Sequence, residues 1–209
     1  MDRDSIVRTM PALRQAFEDL KAALAEGRME TAGQALFGAC LGWGEELGKI
    51  YAHADREALA GHDLLTRFFV TRHRGMPEPA QIAGAPPAAC FLMAFIAFPY
   101  LDALMNEVGI GEHLGRDEAG NWLVSRVLAG ECDGSSLAAD KGGRGWRFDL
   151  MPLYQTKAKA LEAFVDESFG GDFDAFLRRY VADHDLLFDR EQAWRPLAET
   201  GGSHAHPCA

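Results

Sequence analysis

The spacing of the apolar residues changes period twice along the chain, and this limits the fold more than any single motif. Ile6, Met10, Leu13, Phe17, Leu20 and Leu24 recur at steps of three and four, which places them on one stripe of a helix. Met29, Leu36, Phe37, Cys40, Leu41, Leu47, Ile50 and Tyr51 continue that spacing after Gly27, and a third helical run extends from about Asp55 to His73. Within the second run, Gly38, Gly42, Gly44 and Gly48 either admit another helix at close range or mark a break near Gly42-Trp43-Gly44. Prolines 77, 79, 86 and 87 enforce a loop, and a fourth helix is predicted from Ala88 to Val108, with a kink or break at Pro99. Its AACFLMAFIAF stretch is apolar all round, yet falls short of the roughly 20 residues a membrane span requires. It reads as a buried core helix.

From Asn121 the pattern shortens. Trp, Leu and Val dominate residues 121–131, Asp133-Gly134 reads as a turn, residues 135–139 pair back, and Gly142-Gly143 reads as a second turn. Trp146-Arg147-Phe148-Asp149-Leu150 then alternates apolar and polar with period two, as a strand with one wet face does. A further strand is expected near Gly109 to Leu114. Helical spacing returns after Pro152, in a run from Lys157 to Phe169 stopped by Gly170-Gly171 and another capped by Asp172. A short piece from Asp189 to Trp194 closes the sequence of elements. The fold class is therefore α+β: N-terminal amphipathic helices, an antiparallel meander of three to four strands, and C-terminal helices packed on the sheet. Residues 1–197 form a single domain and 198–209 a flexible tail.

Charge limits the partners. The formal net charge is −10, and the densest basic stretches, Arg67-Arg72-Arg74 and Lys141-Arg144-Arg147, lack the interleaved aromatics of a nucleic-acid surface. No nucleic-acid or membrane partner is expected; a basic protein partner fits the sign of the surface. Four cysteines at irregular intervals, two of them among apolar residues, read as reduced thiols in a cytoplasm.

No phosphate-binding Gly loop, nucleophile elbow, H-E-x-x-H or paired C-x-x-C is present, and no cofactor is expected. Asp102 is a candidate acid or base because Leu101, Ala103 and Leu104 surround it, and burial raises a carboxyl pKa. Asp149, opposite Phe148 on its strand, is the second candidate. Tyr100, Asp102, Trp146 and Phe148 are the candidate ligand-binding residues, if the sheet is concave and encloses a pocket with the fourth helix. His53, His62 and His73 read as solvated, and His184 as part of a helix-end turn. His204, His206 and Cys208 are ligand types suited to zinc, copper or nickel, though a chance grouping in the tail explains them as well.

The order of strand, turn, strand, Gly-Gly turn and Gly-Trp-Arg-Phe-Asp-Leu over residues 109–150 resembles the NTF2-like (SnoaL-like cone) superfamily. The resemblance implies a curved sheet, a pocket and a homodimer. It carries over no catalytic residue, and fold does not fix function. The leading expectation is a non-enzymatic binding or protein-interaction domain. The alternative is a small-molecule enzyme in which a pocket carboxylate acts as acid and base.

Overall fold

The computed structural model describes residues 3–77, 79, 82, 84–97 and 101–197, without the side chains of residues 3, 5 and 101–103. The chain is an α+β protein. Among the described residues, seven helices precede the sheet: α1 (Arg3–Ala25), α2 (Met29–Gln34), α3 (Ala39–His53), α4 (Arg56–Ala60), α5 (Leu64–Arg74), α6 (Pro87–Ile96) and α7 (Leu101–Glu107). Strands β1 (Val108–Arg116), β2 (Trp122–Leu128), β3 (Glu131–Gly142) and β4 (Gly145–Asp149) form an antiparallel sheet in sequence order. Helices α8 (Met151–Phe169), α9 (Phe173–Asp183) and α10 (Arg190–Ala193) follow.

Three of the expected helices are each two. The second run breaks at residues 35–38, earlier than Gly42-Trp43-Gly44, because the chain there is used as a strand. Phe148 donates its backbone N–H to Ala35 (2.8 Å), and Phe37 donates to Phe148 (3.3 Å). Gly44 serves instead as the point of close approach, since a Cβ there would stand 2.0 Å from the Pro87 carbonyl oxygen of α6. The third run breaks at Gly61, where Asp63 caps α5 by accepting from the Thr66 amide. The fourth ends at Ile96 and resumes at Leu101; Pro99 lies outside the described residues.

The hairpin turns also differ from expectation. The β2–β3 turn falls at Ala129-Gly130, both with positive φ (51° and 86°), the combination that a two-residue turn between twisted strands needs. Asp133-Gly134 is part of a bulge in β3, where the register shifts between Ser125 and Val127. The bulge delivers the Asp133 carboxylate to Arg126, whose Nε donates to it at 2.7 Å and whose Nη1 donates to Thr156 of α8 at 2.9 Å. Arg126 is buried and holds the Asp133 carboxyl below its usual range. With Ser135 accepting from Nη2 at 3.3 Å, an apolar sheet face is thus joined to α8 through one charged group with three partners.

One face of the sheet, bearing Val108, Trp122, Val124, Leu137, Ala139, Trp146 and Phe148, is buried. Helix α1 lies across it, with Phe17 edge-on to Phe148 at 5.1 Å. The same helix protects the β1 edge: Arg14 donates to the Ile110 and Gly111 carbonyls (3.2 and 2.8 Å), and Lys21 to Val108 (3.0 Å). At the opposite edge, Ala35 and Phe37 occupy the outer groups of β4. Of the C-terminal helices, α8 meets the sheet, while α9 and α10 pack on α8 and α5.

Helix α3 is held at both ends by charge. At its N-terminus the Asp149 carboxylate accepts from the amides of Ala39 (2.9 Å) and Cys40 (3.2 Å), and also from Met151 (3.0 Å) at the start of α8. At its C-terminus the fully buried Arg74 donates to the carbonyls of Ile50 (2.9 Å), Tyr51 (2.7 and 2.9 Å) and Ala54 (2.7 Å). Each charge opposes the partial charge of the helix end it meets. Burial pushes the Arg74 pKa down to about 10, so the group is charged at neutral pH. The substitution Arg74→Leu leaves the Tyr51 and Ala54 carbonyls buried without a donor and is expected to cost about 3 kcal/mol. Arg74→Lys should recover part of this, because one ammonium cannot span the same fork of acceptors. Urea midpoints of the three proteins check it, and equal midpoints for the parent protein and Arg74→Leu would contradict it.

His73 is half-buried over Phe69 and bonded to its carbonyl oxygen at 3.0 Å, in contrast to the solvated position expected. Burial, assisted by Arg72, pushes its pKa down to about 4. Between that value and the unfolded pKa of about 6.5 the unfolded chain binds the extra proton, so stability falls as pH drops through this window. Denaturant midpoints at pH 7 and pH 5 are expected to differ less in His73→Gln than in the parent protein. An unchanged difference would place the acid sensitivity elsewhere.

Candidate functional site

The structure disperses the residues singled out from sequence. Trp146 is buried against Trp122 (rings 5.4 Å apart, edge to face), and Phe148 is fully buried against Phe17. Asp149 spends its carboxylate on three backbone amides, two at the start of α3 and one at the start of α8. Asp102 lies in α7, its side chain outside the described atoms, and Tyr100, His204, His206 and Cys208 lie outside the described residues. Among the described residues no group of three His, Cys, Asp or Glu side chains is placed to hold a metal. Burial pushes the Cys40 thiol up to about 12, and its Sγ lies 2.9 Å from the Phe37 carbonyl, so it is a packed, unreactive thiol. Tyr154 donates to or accepts from Thr66 (3.0 Å) in the core, and burial raises its pKa, which keeps the phenol neutral.

A different site is built by α4, α9 and α10. It begins with local sequence. Asp172 caps α9, accepting from the Ala175 amide at 2.9 Å, and Asp174, Leu177, Arg178 and Val181 then fall at i, i+3, i+4 and i+7 on one face. Asp189 caps α10 through the amides of Glu191 and Gln192 and donates its own N–H to the Gly75 carbonyl at 2.8 Å. That bond ties the returning segment to the end of α5. Gly75 makes room there for the Phe188 ring, which stands 2.3 Å from where a Cβ would lie. Trp194 packs on Phe173 at 6.1 Å, which closes the far wall.

The resulting cleft has a volume of about 420 Å³, within the range of small-molecule sites. Leu177, Val181, Phe188 and Trp194 make an apolar floor; Arg56, Arg178, Arg190 and Arg195 stand round it with Asp174 and Glu191. Arg56 reaches Asp174 at 2.5 Å and lies over the Trp194 ring at 4.6 Å. Arg195 reaches Glu191 at 2.8 Å. The Arg178 and Arg190 side chains make no ion pair or hydrogen bond among the described residues. Behind the cleft, Arg67 lies 4.4 Å over Phe173, near enough to Asp174 to share its charge; burial lowers its pKa.

Sequence reasoning misses this site because its charges come from residues 56, 174–178 and 190–195, none of which is a basic run. The i, i+4 step from Asp174 to Arg178 and the arginines flanking Trp194 are the available signals. The chain matches no family model, no curated protein and no solved structure. Among the described residues, no helix is long and apolar enough to cross a membrane.

Proposed function

We propose that the protein is a non-enzymatic binding domain whose ligand is a small amphipathic anion, held in the cleft between α4, α9 and α10. The observation that carries this reading is an apolar floor rimmed by arginines in a chain whose net charge is −10. Apolar burial supplies affinity, and a few fixed polar groups supply orientation. A small anion suits the cleft better than an acidic protein, because a macromolecule of that sign meets repulsion from the rest of the surface. The two acids at the rim are each committed to an arginine, so neither is poised as an acid or base; this favours binding over the alternative of a small-molecule enzyme. The buried Cys40 and Cys90 fit a reducing, cytoplasmic location. The NTF2-like resemblance of residues 109–150, supported by the sequence-order meander, and the homodimer it implies belong to the same reading. With the β1 edge occupied over Val108–Gly111 and β4 covered, self-association uses a face and not strand addition. A basic protein partner would bind the acidic surface away from the cleft.

Octanoate is a suitable probe. In a titration followed by amide chemical shifts, octanoate is expected to saturate, with perturbed residues confined to α4, α9, α10 and the 186–189 connection. Octanol and octylamine should produce much smaller changes. Absence of a saturable octanoate response, or one centred elsewhere, overturns the reading.

A further inference from the structure

The cleft's charges are unequal in number, and the imbalance specifies the ligand further. Of the four arginines at the rim, Arg56 and Arg195 are neutralised by Asp174 and Glu191 at 2.5 and 2.8 Å. Asp174 is drawn on twice, because Arg67 also lies within its field. What remains is an excess of two guanidiniums, Arg178 and Arg190, one from α9 and one from α10, facing the same apolar floor. Like charges brought to one cleft without an anion between them repel. A single negative charge leaves half of that excess uncompensated.

We infer that the natural ligand carries a dianionic head group, of the phosphate monoester or dicarboxylate class, placed between Arg178 and Arg190 with its apolar body over Leu177, Val181, Phe188 and Trp194. This rests on the cleft being the binding site, as proposed above. A phosphate monoester offers three acceptor oxygens and a charge near −2 above its second pKa of about 6. Guanidinium forks match this geometry in pairs of parallel hydrogen bonds, whereas a monocarboxylate fills one fork only.

The test compares octyl phosphate with octanoate, which share an apolar body, and with inorganic phosphate, which lacks one. By calorimetry at pH 8, octyl phosphate is expected to bind about tenfold or more tightly than octanoate, the margin of one added charge-assisted pair. The ratio should fall as pH is lowered through the second phosphate pKa of about 6, where the head group becomes a monoanion. Inorganic phosphate should bind weakly, for want of contact with the floor. Arg178→Gln and Arg190→Gln change exposed side chains on helix surfaces and leave the fold intact. Each is expected to cut octyl phosphate affinity about tenfold while leaving octanoate within about threefold, since one fork still serves a single charge. Equal affinities for the two ligands, a pH-independent ratio, or equal losses for both ligands in the variants overturn the dianion while leaving the amphipathic-anion reading standing. Failure of both ligands to bind at the cleft removes the two together.

Discussion

Helix α3 is fixed by charge at both ends, and the placement of the elements around it depends on those two contacts. Its N-terminal amides are taken by Asp149 from the end of β4, its C-terminal carbonyls by Arg74 from the end of α5, and its flank at Gly44 by the first turn of α6. Neither charged group has an oppositely charged side-chain partner among the described residues. Asp149 faces peptide N–H groups and Arg74 peptide carbonyls, so the helix itself is the counter-charge. Such an arrangement stabilises position more than it adds net energy: moving α3 by one turn would strand a buried guanidinium without acceptors, at a cost of several kcal/mol. Sheet, α5 and α6 are therefore referenced to one helix, and α9 and α10 are referenced to α5 in turn.

That chain of references explains what sequence patterns reveal. The shift to strand spacing from Asn121 and the return of helical spacing beyond the sheet are local properties, and both stand in the structure, although β1 already begins at Val108 and α8 at Met151. So do the Asp172 cap and the Gly170 stop, where φ is +60°. The positions that mislead are those whose role is set by distant partners. Gly44 is small because of Pro87, and residues 35–37 leave the helix because β4 has an open edge. Asp133 looks like a turn residue in sequence, yet it serves Arg126. Phe164 fits the helical stripe of α8 and is nonetheless about half exposed (49%), since α9 covers only one side. Pro152 reads as a boundary, but α8 begins at Met151 because proline is tolerated in a helix's first turn.

The same distinction applies to the sites. Asp149 and Phe148 are conspicuous in sequence because they alternate on a strand next to a tryptophan, and both are used for folding. The arginine-rimmed cleft has no single local signature, since Arg56, Arg178, Arg190 and Arg195 come from three parts of the chain, the first separated from the others by more than a hundred residues. The link from Asp189 to Gly75, itself fixed by the position of α5, and the packing of Trp194 on Phe173 bring α10 back beside α9. The cleft and the placement of α3 both depend on the position of α5, whose last two residues are the half-buried His73 and the buried Arg74.

Native-state hydrogen exchange of α3 tests this account most directly. If both ends of the helix are fixed by Asp149 and Arg74, the interior amides from Leu47 to Tyr51 open only with the whole molecule, and their exchange free energies equal the global value from denaturant unfolding. Exchange of those amides several kcal/mol below the global value, with β2 and β3 still protected, would show α3 opening alone and would contradict its place as the element to which the rest is referenced.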